Sequence, residues 1–351
     1  MSNVLVNSLS EQHEVDELLD MKIPHYRQAY SDRTAWLMAC LSDLAYVKFN
    51  PLVKSTSKQH FVEKVVSLIG DTKSAALNTL LQTLDYDPEE EEQKLKNSSE
   101  LLNLKLVKTF DNNGTQAIIL ENNSHVFLAF RGTEATSIKD VKADANGVMV
   151  ECETGGKVHS GFNQAFNQTA VEIQSYLNQE PCVNKPLFIT GHSLGGALAT
   201  IATKQLKHKA GIAACYTYGS PRVGDANWAY NIKAPVYRLV NAADPVTVLP
   251  PGKEFIELSA WLVGLLPYVG DAIKKVLLSK FNGYMHIGDM KYLTNSPVNN
   301  YKNVRLLYSV SFVFRLKAFL VGKTSFSKIP SDHSISIYRK KLMVIASKRN
   351  K

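Results

Sequence analysis

From residue 31 to 49, "SDRTAWLMACLSDLAYVKF" spaces its apolar residues three and four apart, which predicts a helix packed on a core. Residues 60 to 85 repeat that helical spacing. The next stretch, "DPEEEEQK" (87–94), is a run of acids and reads as an exposed loop. Beyond it the period falls to two. "TQAIILEN", the pair "NS" and "HVFLAFRG" (115–132) predict a β-hairpin with an Asn-Ser turn.

Strands and helices then alternate. The pattern predicts a helix over 161–178, a strand over 186–190, a helix from Leu194, and strands over 212–218 and 236–241 with a short helical piece between them. Such alternation implies an α/β fold with a mainly parallel central sheet and helices on both faces. In these sheets ligands collect at the carboxyl ends of the strands. The expected organisation is one α/β domain over 1–351, with a helical N-terminal part (1–100) packed on its core.

The chain holds 351 residues, 45 % of them hydrophobic and 21 % charged, which excludes a disordered protein and supplies a large core. The longest apolar stretch, "AWLVGLLPYVG" (260–270), is too short to span a bilayer and contains a proline. Cys40, Cys152, Cys182 and Cys215 have no metal-like spacing, and Cys215 in "IAACYTYG" reads as a reduced, buried thiol. The N-terminal twenty residues hold five acids, no Lys or Arg, and no basic-then-apolar leader. With the thiols, this predicts a cytoplasmic chain, or one exported without a cleavable signal peptide.

Net charge is +8 and unevenly placed: from residue 301 onward twelve Lys or Arg face one acid, Asp332. Such a flank is ordinarily solvated surface, and it also suits transient contact with an anionic membrane surface. No recognition motif accompanies it, so no nucleic-acid partner is expected.

Candidate chemistry centres on "PLFITGHSLGGALATIATKQL" (186–206). Gly191-His192-Ser193-Leu194-Gly195 is a G-x-S-x-G motif lying between a predicted strand and a predicted helix. In that turn the serine adopts a strained backbone and lifts its hydroxyl above the sheet, while the positions two before and two after it approach too closely for side chains. A helix N-terminus then aims free N–H groups at the site. Serine is a weak nucleophile and needs a base held by a third group. For the base, His333 in "PSDHSISIYRKKL" lies between a turn and a helical run, where a loop-borne base belongs. Its rival His286, in "NGYMHIGDMKYL", reads more simply as a packed residue. For the acid, Asp244 follows the strand ending at Asn241, and its rival Asp225 in "GSPRVGD" reads more simply as a helix cap.

Together these stretches resemble the class 3 lipases, the fungal-lipase-like branch of the α/β hydrolases. The matching segments are "LAFRGTE", "VHSGF", "ITGHSLGGALA", "YTYGSPRVGD", "YRLVNAADPVTVLPP", "YMHIGDMKYL" and "DHSISIYRKKL", in the family's order. The resemblance implies an α/β-hydrolase fold with Ser193 as nucleophile, Asp244 as acid and His333 as base. It implies an oxyanion hole from the N–H groups of Leu194 and Thr133, no metal or organic cofactor, and structural roles for His159 and His286.

The chain departs from the family at "EATSIKDVKADANG" (134–147), where fungal relatives carry an apolar lid helix with a tryptophan. An apolar segment, "KEFIELSAWLVGLLPYVGDAIKKVLLSKF" (253–281), lies instead between acid and histidine, so a helical cap insertion is expected over 253–283. The expected activity is hydrolysis of acyl-lipid esters, as a triacylglycerol lipase. The alternatives are a phospholipase A1 acting on membranes, and an inactive hydrolase fold that binds lipid or protein.

Overall fold

Ten strands and eight α-helices are placed in the computed structural model, which describes residues 3–20, 29–47, 88–112, 114–132, 147–230, 232–242, 244–252, 281, 283–297, 299–311, 314–315 and 329–348. The strands are β1 Lys105–Asn112, β2 Thr115–Glu121, β3 Val126–Phe130, β4 Met149–Glu151, β5 Lys157–His159, β6 Leu187–His192, β7 Ile212–Tyr218, β8 Val236–Asn241, β9 Asp289–Leu293 and β10 Leu306–Tyr308. The helices are α1 Leu9–Leu19, α2 Asp32–Leu44, α3 Pro88–Leu101, α4 Ser160–Leu177, α5 Leu194–Gln205, α6 Ala226–Tyr230, α7 Ile329–Asp332 and α8 Ile335–Lys348.

Eight of the strands form one sheet in the order β1-β2-β3-β6-β7-β8-β9-β10, while β4 and β5 pair separately. The run from β3 through β6, β7 and β8 to β9 is parallel, and the flanking pairs β1–β2, β2–β3 and β9–β10 are antiparallel. This is the α/β architecture, with a mainly parallel central sheet, that the alternation of elements predicts, and the hairpin over 115–132 is present as β2–β3.

Side-chain alternation divides the core between the two faces of the sheet. Phe127 and Ala129 of β3, Phe188 of β6, and Tyr216 and Tyr218 of β7 pack with Trp36 and Leu41 of α2 and Tyr338 and Leu342 of α8. Their neighbours Leu128, Phe130, Ile189 and Cys215 turn the other way, onto Phe162, Phe166 and Ile173 of α4 and Leu198 and Ile201 of α5. A slip of one residue in any central strand would exchange these sets, and each fully buried side chain contributes about 1.5–3 kcal/mol. The register is therefore fixed, and with it the level at which each strand ends.

The N-terminal helices join the first of these faces. Arg339 of α8 donates from Nε to Asp43 Oδ2 of α2 at 3.1 Å and from Nη1 to the Leu5 carbonyl at 2.5 Å. Burial pushes the Asp43 carboxyl up, and the Arg339 guanidinium opposes that shift.

Two expectations change here. The acidic run over 87–94 is not a loop: residues 88 onward form α3. Proline at the first helical position and Glu89, Glu90 and Glu91 in the first turn suit a helix N-terminus, and Lys94–Glu90 and Lys96–Glu92 pair one turn apart. Strand β1 also goes unpredicted. It is an edge strand in which Phe110 alone is fully buried, so no alternation marks it. The helical reading of 60–85 and the cap insertion expected at 253–283, apart from Phe281 and Gly283, lie outside the described residues.

Candidate active site

Ser193 stands between the end of β6 and the start of α5 with φ 58° and ψ −128°. A non-glycine residue rarely occupies that region, and holding it there costs on the order of 1–3 kcal/mol. Packing around the turn supplies the constraint. A Cβ on Gly191 would lie 2.1 Å from the Gly195 carbonyl oxygen, and one on Gly195 would lie 2.3 Å from the Phe130 oxygen. Backbone thus touches backbone at both positions, as the motif requires.

Strands β6, β7 and β8 lie side by side, and the loops at their carboxyl ends meet. Asp244 follows β8, and His333 sits between α7 and α8. The structure brings both to Ser193. His333 Nε2 lies 2.9 Å from Ser193 Oγ, and its Nδ1 lies 3.0 Å from each carboxylate oxygen of Asp244. All three side chains are buried. Since a carboxylate only accepts, His333 carries its proton on Nδ1 and turns the Nε2 lone pair to the serine hydroxyl.

Several residues that sequence reasoning left unassigned hold this arrangement. Tyr338, in the first turns of α8, donates from its hydroxyl to Asp244 Oδ2 at 2.7 Å. Burial, then the Asp244 charge, pushes its phenol well above the ordinary range, so it stays a donor. The Val246 N–H donates to Asp244 Oδ1 at 3.0 Å. Asn241, the last residue of β8, donates from its backbone N–H to the Tyr338 hydroxyl at 2.9 Å and from Nδ2 to the Asp332 carbonyl at 2.8 Å. It thereby ties the strand bearing the acid to the loop bearing the histidine. Gly219, at φ +57°, leaves room for both: a Cβ there would lie 2.5 Å from Asp244 Oδ2 and 3.0 Å from His333 Nδ1.

His192, the variable position of the motif, is also engaged. Its Nε2 lies 2.5 Å from the His333 carbonyl oxygen and must donate, so its Nδ1 accepts from the Tyr46 hydroxyl at 2.8 Å. Burial, then the neighbouring His333, pushes His192 well below the ordinary histidine range and keeps it neutral. Only the identity of these side chains was legible in the sequence, because their partners come from elements far away along the chain.

The rivals lie elsewhere. His286 Nε2 bonds the Thr247 carbonyl at 2.6 Å. Asp225 Oδ1 accepts the Trp228 N–H at 2.8 Å and so caps α6. His159 caps the start of α4, its Nδ1 accepting the Phe162 N–H at 3.3 Å. His208, a further histidine downstream of Ser193, bonds the Lys185 carbonyl at 2.7 Å.

For the expected oxyanion hole, Leu194 is the first residue of α5, and its N–H has no acceptor within the helix. Thr133 lies outside the described residues, as do 134–146. The described chain before it reaches the site, since a Cβ on Gly132 would lie 2.5 Å from the His192 oxygen and 3.3 Å from Ser193 Cβ.

All four cysteines are buried and unpaired. Burial pushes the Cys40 and Cys215 thiols up to about 12. Among the described residues no helix is long and apolar enough to cross a membrane.

The family model for lipase (class 3) matches residues 127–254, which carry Ser193 and Asp244. A secreted mono- and diacylglycerol lipase of Fusarium solani is 39 % identical over 119 residues, covering 31 % of this chain and 35 % of that protein. A lipase of Rhizomucor miehei is 33 % identical over 166 residues, covering 42 % of this chain and 45 % of that protein. The matches thus span between about a third and just under half the length of these relatives. The solved structure of a lipase from Rhizopus microsporus var. chinensis is 22 % identical, covering 84 % of this chain and 96 % of that one, with a TM-score of 0.47.

The expected cytoplasmic location, with its variant of export without a leader, is overturned by these relatives. Those from Fusarium solani and Penicillium cyclopium are named as secreted, which a cytoplasmic assignment does not fit. The thiols that encouraged it report packing, not compartment: each is enclosed in the fold.

Proposed function

We propose that this chain, a class 3 fungal-lipase-like protein across residues 127–254, hydrolyses the carboxylic ester bonds of acyl lipids, triacylglycerols among them. The observation that carries the reading is the continuous set of hydrogen-bonding contacts from Ser193 Oγ through His333 to Asp244, centred on a serine held at positive φ.

In this reading Ser193 Oγ attacks the ester carbonyl as its proton passes to His333 Nε2. Asp244 holds the imidazole in the tautomer that can receive the proton, then stabilises the imidazolium that results. The tetrahedral oxyanion accepts from the Leu194 N–H at the positive end of α5, with Thr133 as the second donor; each such donor lowers the barrier by roughly 3 kcal/mol. Collapse expels the alcohol, which takes the proton from His333. Water, deprotonated by the same imidazole, then attacks the acyl-enzyme and releases the fatty acid.

The experiment is hydrolysis of tributyrin and of a p-nitrophenyl acyl ester by the wild type and by Ser193→Ala. The expected loss is at least about a thousandfold in kcat, with an unchanged circular dichroism spectrum. Hydrolysis by the folded variant at the wild-type rate would remove the serine from the chemistry and end the reading.

A further inference from the structure

Beside the loop that carries Asp244 lies a cavity of about 550 Å³ lined by Arg222, Arg238, His286, Ser311 and Arg315, among others, and by no acid among the described residues. Its arginines are unusually placed. Arg238 belongs to β8 and is 6 % exposed, yet its Nε and Nη1 are buried with no hydrogen-bond acceptor. Arg315 Nε is likewise buried without one, while its Nη2 donates to Thr247 Oγ1 at 2.5 Å and more weakly to the Asp244 carbonyl at 3.4 Å. Arg222 donates from Nη1 to the Val248 and Pro250 carbonyls at 2.6 Å, and its guanidinium rests on Gly252, where a Cβ would lie 2.9 Å from Nε.

Three guanidinium groups therefore share one cavity, where burial opposes the charge of Arg238 and of Arg315. Burial first, then the charges of Arg315 and Arg222, pushes Arg238 down to about 9. Asp244, the acid whose charge acts on Arg315, is already engaged by His333, Tyr338 and the Val246 N–H. A buried guanidinium with idle donors is destabilising by several kcal/mol unless something accepts from it. His286 adds a complementary feature. Its Nε2 donates to the Thr247 carbonyl, so its Nδ1 is an acceptor, buried and without a partner.

We propose that this cavity binds a phosphate monoester or inorganic phosphate, with Arg238 and Arg315 donating to its oxygens and His286 Nδ1 accepting from its P–OH. Inorganic phosphate as its hydrogen-bearing dianion, or a phosphate monoester in its singly ionised form, offers several oxygens to the guanidinium forks and still keeps a P–OH for His286 Nδ1. The unpaired imidazole acceptor favours an anion that still carries a proton, which separates phosphate from sulfate. The ligand has two sources, free phosphate and the headgroup of a phosphomonoester lipid. The site goes beyond the ester-hydrolysis reading, and binding to it is read without turnover.

The test is thermal unfolding of the full chain in chloride, sulfate, inorganic phosphate and glycerol 3-phosphate at constant ionic strength. A saturable rise in Tm with phosphate or glycerol 3-phosphate, larger than with sulfate, is expected. Arg238→Met should weaken that binding at least about tenfold, since it removes hydrogen bonds to a charged group. Tighter binding of glycerol 3-phosphate marks a headgroup, and tighter binding of inorganic phosphate marks the free ion; both uphold the site. In the wild type, where no variant has to fold, phosphate should slow phenylglyoxal modification of Arg238 and Arg315 but not of the exposed Arg305. No saturable rise with either ligand, a rise that Arg238→Met retains, or uniform labelling of the three arginines would overturn the proposal.

Discussion

Tyr338 donates its hydroxyl hydrogen to Asp244 Oδ2 at 2.7 Å and accepts the Asn241 N–H on the same oxygen at 2.9 Å. One phenol thus spans the strand that ends at Asn241, the acid that follows it and the helix that follows His333. Tyr338→Phe keeps the ring in its buried slot but leaves the Asn241 N–H and one carboxylate lone pair without a partner. The expected result is a stability loss of about 1–3 kcal/mol in urea unfolding and a kcat lowered about tenfold with little change in KM. Wild-type kcat in a folded variant would mean that the acid is held without the phenol.

Gly219 packs its backbone directly against both the acid and the histidine. Gly219→Ala places a methyl 2.5 Å from Asp244 Oδ2 and 3.0 Å from His333 Nδ1, at a φ of +57° that alanine resists. Displacing either group by an ångström is expected to lower kcat by about a hundredfold, with a further loss of about 1 kcal/mol in stability. Steady-state kinetics beside a melting curve separate the two effects, and retention of full activity would show that the pair has slack.

The neutral His192 predicts an acid-side loss of stability. Its folded-state pKa lies well below the ordinary 6.5, so between the two values the unfolded chain binds a proton that the folded chain does not. Unfolding free energy therefore rises with pH through that window: the contribution is complete above about pH 6.5 and declines as pH falls, by about 1 kcal/mol per pH unit. His192→Gln can still donate to the His333 carbonyl but does not titrate. Urea unfolding between pH 5 and 7.5 should show a shallower slope for the variant by that amount. Equal slopes would mean that His192 does not carry the dependence.

How much of this was legible in the sequence depends on how local each signal is. The parallel strands over 212–218 and 236–241 are mostly apolar runs, and their bounds agree with β7 and β8 residue for residue. The serine turn was legible because its glycines act within five residues. Partners fixed by three-dimensional approach were not. Tyr338, Asn241 and Gly219 lie inside quoted motifs, yet nothing in their spacing reveals that they surround one carboxylate. The acidic segment before residue 95 was misjudged for a different reason: a charge run looks like solvent, while a proline followed by glutamates also opens a helix.

The contacts that hold the serine have a consequence for how the site can vary. At Gly191 and Gly195 the neighbouring surfaces are peptide groups, which have no rotamers to exchange and no methylenes to lose. The hydroxyl is thus anchored by main-chain geometry common to any sequence with this fold, while the carboxylate and imidazole hang on side chains that mutation can alter one at a time. Change in such a protein should accumulate in the loops that deliver the second and third members, around a first member that stays where it is.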